Sequence, residues 1–294
     1  MRIDFEVTEL YDKNKVLHVL KSQMKLSTRL IKQLKKHNGI LLNGQPIRTI
    51  DPVHTGDIVS VIIEYSEDNY IQPEESDISI LYEDSCFLAV NKEAGIPVHP
   101  TAGHNTGTLA HMVLSHLIKQ GLSIKIRPIN RLDKDTSGVV LFAKNSHMQD
   151  RIINQMKNNR VSKVYLGIVH GVFEPKEGII NLPIARKDGS TIERTVDMSG
   201  APSITKYKTL GIYNDLSLVQ FILETGRTHQ IRVHTRAMGH PILGDWLYSD
   251  IKTDVISRQA LHSTTLAFDH PITGERIILN ASIPEDMRRV LSMS

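Results

Sequence analysis

The apolar positions of this chain switch between a strand period and a helical period, and each change of period marks an element. Phe5 and Val7 fit a short strand, and Leu17, Val19 and Leu20 a helical turn. Leu26, Leu30, Ile31 and Leu34 then recur at helical spacing and form one apolar stripe, on a helix that Ser27 or Thr28 can cap. Asn43-Gly44 between apolar runs signals a hairpin, and Gly56-Asp57 precedes a strand from Ile58 to Ile63. Ser66 to Asp77 turns polar and acidic, which predicts a linker and a domain boundary.

Beyond the linker, Ile78–Tyr82 and Phe87–Lys92 read as strands, and Gly107 to Leu114 as the start of a helix. Val139-Val140-Leu141-Phe142-Ala143 is apolar at every position, the mark of a strand buried on both faces. A helix is expected from Asn145 to Asn158, with Met148, Ile152, Ile153 and Met156 on one face. Lys163–Gly171 fits a half-buried strand, and Gly178–Pro202, rich in turn residues, a hairpin insertion. Lys206–Tyr213 and Leu216–Leu223 pair around Asn214-Asp215, and a helix begins after Thr225-Gly226. Trp246 is expected as packing; beyond it Ala260–Phe268 is a strand and Pro284–Leu291 a terminal helix.

Composition narrows the class. The 294 residues suffice for one large domain or two smaller ones. No apolar run approaches the ~18 residues of a membrane span, and the mixed, charged N-terminus lacks a signal or transit pattern. The expectation is a cytoplasmic protein with no membrane partner. One cysteine, Cys86, excludes an internal disulfide and a multi-cysteine zinc site; its apolar setting suggests a buried, inert thiol. A net charge of +3 says little about nucleic acid by itself. The distribution says more. From Lys21 to His37 the chain carries Lys21, Lys25, Arg29, Lys32, Lys35 and Lys36 and no acid. Such a run is either a solvated helix face or a surface that meets phosphates.

The densest chemistry is Arg131-Leu132-Asp133-Lys134-Asp135-Thr136-Ser137-Gly138, at the mouth of the buried strand. These residue types also make an ordinary polar turn. Arg-Leu-Asp-x-x-Thr-Ser-Gly, however, resembles the central motif of the RluA/RluD-type pseudouridine synthases. Lys163-Val164-Tyr165 with Val169-His170-Gly171, and Thr225-Gly226-Arg227-Thr228-His229-Gln230-Ile231-Arg232-Val233-His234, resemble two further motifs of that family in the expected order. Gly244-Asp245-Trp246-Leu247-Tyr248 continues the likeness. The basic helical region with its hairpin resembles an S-four-type RNA-binding domain.

The resemblance implies an α+β protein. A small N-terminal α/β RNA-binding domain spans residues 1–70 and a linker 71–77. Residues 78–294 form a catalytic domain on a mixed, largely antiparallel sheet flanked by helices. It implies isomerisation of uridine to pseudouridine in structured RNA, large-subunit ribosomal RNA first and transfer RNA second, by a monomer without cofactor or metal. A non-catalytic RNA-binding or ribosome-assembly factor is the alternative. Asp133 is implied as the catalytic carboxylate, acting as nucleophile or as base, with Arg232 as its cation and Tyr165 as base platform or proton shuttle. Arg131 is implied as the wedge that fills the gap left by a flipped base. Lys163 and Arg227 are expected at phosphates, with Lys25, Arg29 and Lys32 on the RNA-facing helix. Asp135 is a turn residue in this reading, and Asn130 stands where many relatives carry His. A hydrolase metal site at His229, His234 and His240 lacks the Glu-bearing helical pair such sites use.

Overall fold

The computed structural model describes residues 1–63, 71–101 and 103–293. The expected acidic stretch at Ser66–Tyr70 therefore lies outside the described residues.

The N-terminal region has its own core. Arg2–Glu6 (β1), Val16–Ser22 (α1), Thr28–Lys36 (α2), Ile40–Leu42 (β2), Gln45–Pro46 (β3) and Ile58–Ile62 (β4) form two helices on a sheet of order β1-β4-β2-β3. Val16, Val19 and Leu20 of α1 meet Leu30, Ile31 and Leu34 of α2 over Val59 and Val61 of β4. The basic run is thus two helices and a turn. Ser27 caps α2 by accepting from the Leu30 N–H at 3.3 Å, and Lys25 sits in the turn with φ 54°. Asn43 and Gly44 both have positive φ, as the two-residue hairpin between β2 and β3 requires. Met1 and Ile3 also pack against the neighbouring core, where the Asn145 amide contacts the Met1 sulfur at 3.1 Å. Residues 71–77 have no regular element; the Glu74 carboxylate accepts from the Gly107 N–H at 2.8 Å.

The rest of the chain builds one large sheet. Its elements are Ser79–Glu83 (β5), Phe87–Lys92 (β6), Leu109–Lys119 (α3), Ser137–Ala143 (β7), Ser146–Lys157 (α4), Ser162–His170 (β8), Glu177–Asn181 (β9), Ile184–Arg186 (β10), Arg194–Val196 (β11), Ile204–Tyr213 (β12), Leu216–Leu223 (β13), Gln230–Ala237 (α5), Leu261–Asp269 (β14), Arg276–Asn280 (β15) and Glu285–Ser292 (α6). The strand order is β5-β6-β7-β14-β8-β13-β12-β9, with β15 beside β14; β10 and β11 form a separate hairpin. All pairings in the large sheet are antiparallel except β7 with β14.

The uniformly apolar run of β7 is explained by its two covered faces. Val140 and Phe142 enter the core beneath α3, α5 and α6, whereas Val139, Leu141 and Ala143 enter the one beneath α4. Residues 178–202 are less of an insertion than their composition suggested. Glu177–Asn181 pairs with β12 and closes the sheet edge, leaving only the β10–β11 hairpin outside it. The strand Arg276–Asn280 had no sequence expectation attached. Trp246 does not pack as expected; it is 66% exposed. No helix among the described residues is long and apolar enough to cross a membrane.

Candidate active site

The single parallel pairing of the sheet organises the site. Ser137 and Gly138 begin β7 opposite His262 and Ser263 of β14, and Ser263 also faces Tyr165 on β8. The turn bearing Asp133 and the strand bearing Tyr165 are thereby held side by side. Gly138 has φ +113°, and a Cβ there would overlap the Ser263 carbonyl, so only glycine lets the two strands approach.

Each residue of the turn is tied down. The Thr136 N–H donates to the Asp133 carbonyl at 3.1 Å. The Lys134 carbonyl accepts from the Gly95 N–H at 3.0 Å and from Lys92 Nζ at 2.8 Å. Arg258 Nη1 donates to the Asp135 carbonyl at 3.1 Å, so Asp135 serves through its backbone. Asn130 works as a strand mimic: its amide donates to the Val139 carbonyl and accepts from the Leu141 N–H, both at 2.9 Å. The amide thus supplies β7 with one donor and one acceptor.

Lys92 is a residue the sequence reading left without a role. Only 1% exposed, it sends Nζ to the carbonyls of Glu93, Ile96 and Lys134 at 2.7–2.8 Å. Three acceptors match the three N–H bonds of an ammonium. Burial pulls its pKa down to about 7, against the attraction of Asp135 and Asp133.

Arg232 projects from α5 towards Asp133 but holds it through one nitrogen, its two-pronged grip being on Asp245. Its Nε and Nη2 both donate to Asp245, at 2.7 Å each, and Nη1 reaches Asp133 Oδ2 at 3.2 Å. The side chains of Arg232 and Asp245 are 4% and 0% exposed. Desolvation alone would lower the arginine's pKa; the paired carboxylates of Asp245 and Asp133 raise it instead. Asp245 also accepts the N–H groups of Leu247 and Tyr248 at 3.1 Å. Asp245 is the second residue the sequence reading passed over; its place in Gly244-Asp245, shortly after Arg232, was the available signal.

Tyr165 is buried on β8, with its hydroxyl bonded to Ser263. Burial, with the charge of Asp133, pushes its pKa up to about 12. Its hydroxyl therefore keeps its proton at neutral pH.

Asp133, 26% exposed, opens on a cleft of about 1270 Å³. Tyr165, Lys163, Arg131 and Arg227 line the same cleft, and so do Ser27, Arg29, Leu30 and Gln33 of the N-terminal region. Arg131 is exposed, with Nη1 3.5 Å from His99 Nε2. Arg227 is exposed, and its Nε donates to the Pro202 carbonyl at 3.2 Å. Burial lowers the pKa of Lys163. Lys25 and Lys32, expected at RNA with Arg29, are exposed but do not line the cleft.

The histidines do not assemble as a metal set. His234 spends both ring nitrogens on Thr205 Oγ1 and the Leu182 carbonyl at 2.9 Å, and His240 Nδ1 faces the His170 carbonyl. Among the described residues one cluster has metal-ligand chemistry, Asp84, Cys86 and His270. There the Thr273 N–H donates to His270 Nδ1 at 3.1 Å, leaving the ring proton on Nε2, 3.0 Å from Asp84. That proton occupies the lone pair a metal would need. Cys86 is buried.

Residues 86–237 match the family described as RNA pseudouridylate synthase. The chain is 38% identical over 264 residues to YlyB of Bacillus subtilis, named an uncharacterized RNA pseudouridine synthase, covering 89% of this chain and 87% of that one. It is 35% identical over 271 residues to the ribosomal large subunit pseudouridine synthase D of Neisseria meningitidis, covering 88% of this chain and 72% of that protein. Its fold is similar to human RNA pseudouridylate synthase domain containing 1, with a TM-score of 0.58, 27% identity, and coverage of 72% of this chain and 86% of that one. A carboxylate held by a buried arginine at the foot of a basic cleft, in a chain so matched, belongs to a member of the RNA pseudouridylate synthase family, an isomerase that acts on RNA.

Proposed function

We propose that Asp133 is the catalytic carboxylate of this synthase and that its substrate is large-subunit ribosomal RNA. The observation that carries the site assignment is the asymmetry of Asp133: Oδ2 is held by Arg232, and the carboxylate is turned into the cleft. Isomerisation breaks the bond from C1′ to N1 and forms one from C1′ to C5; C5 loses a proton and N1 gains one. The residue needed is a carboxylate at the sugar–base junction, either bonding to C1′ or taking a proton from the sugar. Arg232 orients it. Tyr165, protonated, offers a ring face and a hydroxyl to the detached base. Arg131, exposed beside Asp133, takes the space the flipped nucleotide leaves, and Lys163 and Arg227 meet phosphates.

The N-terminal unit, residues 1–70, is a second RNA-binding element of a monomeric, cytoplasmic enzyme, joined through 71–77 to the catalytic domain at 78–294. Arg29 on the cleft wall supports this reading. Ribosomal RNA is favoured over transfer RNA by the similarity to a ribosomal large subunit enzyme.

The test is tritium release from RNA labelled at uridine C5. Asp133→Asn is expected to lower the rate by about a thousandfold or more, the scale of losing a principal catalytic group, with RNA binding nearly intact. Wild-type turnover in that variant overturns the assignment. Release from transfer RNA alone, or no missing ribosomal pseudouridine in a deletion strain, overturns the substrate.

A further inference from the structure

His229 faces Asp133 at the oxygen that Arg232 does not touch, and it has no part in the isomerisation proposed for Asp133. It precedes α5 with φ 58° and ψ 19°, a left-handed conformation unfavourable for a residue with a Cβ. Its ring is held in a particular way. The Arg194 N–H donates to the Tyr248 hydroxyl oxygen at 2.8 Å, and the same oxygen lies 2.8 Å from His229 Nδ1. This geometry lets the hydroxyl donate its own proton to Nδ1, the arrangement that leaves the ring proton on Nε2. Nε2 stands 3.8 Å from Asp133 Oδ1, the oxygen that Arg232 does not touch.

We infer that His229 is a positioning residue for Asp133. As a neutral imidazole it aims Nε2–H at Oδ1, so that each oxygen of the catalytic carboxylate has one donor fixing it, Arg232 at Oδ2 and His229 at Oδ1. The present separation exceeds a hydrogen bond of about 3 Å, and bonds of this kind shorten when substrate closes the site. A carboxylate oxygen has two lone pairs, so the one not facing His229 remains for the ribose. Tyr248 sets the tautomer and, through Arg194, fastens the β10–β11 hairpin to the same relay. The charged groups facing the imidazole are Asp133 and Asp245 on one sign and Arg232 and Arg194 on the other; desolvation outweighs them and keeps the ring neutral.

The inference rests on Asp133 being the reacting carboxylate, so Asp133→Asn is assayed in parallel. His229→Asn is the principal variant, because asparagine accepts the left-handed backbone. In steady-state assays kcat is expected to fall about 100-fold, the cost of a reacting group misplaced by roughly 1 Å, with KM unchanged. Tyr248→Phe removes the proton that blocks Nδ1, so the ring takes up a second proton more readily. The acid limb of its kcat profile is expected at higher pH than in the wild type. His229→Asn turning over within about twofold of wild type while Asp133→Asn is inactive overturns the positioning role alone. So does a rise in KM with kcat preserved. An active Asp133→Asn overturns the underlying site reading. Should His229→Asn fail to fold, an unmoved acid limb in Tyr248→Phe overturns the inference.

Discussion

Arg232 and Arg227 belong to one motif, five residues apart, yet they are built into the molecule in opposite ways. Arg232 is 4% exposed, with two of its nitrogens committed to Asp245 and a third to Asp133. Arg227 is exposed, and its Nε bonds a backbone carbonyl. The first is placed before any RNA arrives. The second keeps most of its guanidinium towards solvent, where a phosphate can take it. The same division separates the inner group, Asp133 and Tyr165 on the cleft with Lys92 and Asp245 buried behind them, from the rim of Arg131, Arg227 and Arg29. A flexible carboxylate at the inner end would lose orientation with every turnover; a rigidly paired arginine at the rim would have to break its pair to bind.

The comparison is broken most directly at Asp245. Asp245→Ala leaves two nitrogens of a buried guanidinium without partners. It is expected to cost about 3 kcal/mol or more of stability and to lower kcat by about 100-fold or more as Arg232 loses its direction. Urea unfolding and the tritium assay measure the two effects. Asp245→Asn keeps the shape and one of the two acceptor oxygens, and is expected to retain more stability than alanine. A stable, fully active Asp245→Ala would mean that Arg232 is placed by α5 alone.

Much of this division was legible in the sequence, for an identifiable reason. The residues proposed to do chemistry, Asp133, Tyr165 and Arg232, sit in dense local patterns; the structure places Asp133 and Tyr165 on one cleft, with Arg232 behind Asp133 at 3.2 Å. The buried strand β7 was visible as an unbroken apolar run, and the helices α2 and α4 as helical periodicity, since each helix keeps its core on one face. Residues that hold other residues leave a fainter trace. Asp245 is a single carboxylate in a loop, and only the fold shows that it meets Arg232. Lys92 ends a buried strand and looks like an exposed lysine until its three carbonyl acceptors are seen. His229 and Tyr248 are joined through a hydroxyl, which composition does not encode. The exposure of Trp246 was missed because a lone tryptophan is most often packed. In the basic region the helical stripe predicted the core of α2 correctly, whereas which cations face the cleft depends on docking against the catalytic sheet.

The rim supplies the next effect. Arg227→Ala is expected to raise KM by about tenfold, with kcat little changed, and to reduce the salt dependence of RNA binding by about one phosphate's worth of slope. Filter binding across a salt series reads this. A fall in kcat without a change in KM would move Arg227 from the rim to the inner group and erase the contrast with Arg232.

The smallest effect sharpens the comparison within a single helix. Arg29 and Lys32 both belong to α2 and both are exposed, but only Arg29 lines the cleft. If charge alone attracts RNA, alanine at either position weakens binding equally, because each removes one positive charge from the same face of the molecule. If binding depends on where a phosphate can sit, Arg29→Ala is expected to weaken binding about threefold and to lower the salt slope. Lys32→Ala then changes neither within error. The two variants carry the same net charge whenever both titratable cations are fully ionised, so a difference between them isolates position. Equal weakening would show that α2 acts as a diffuse electrostatic surface, and that the cleft's RNA-contacting rim ends at the catalytic domain.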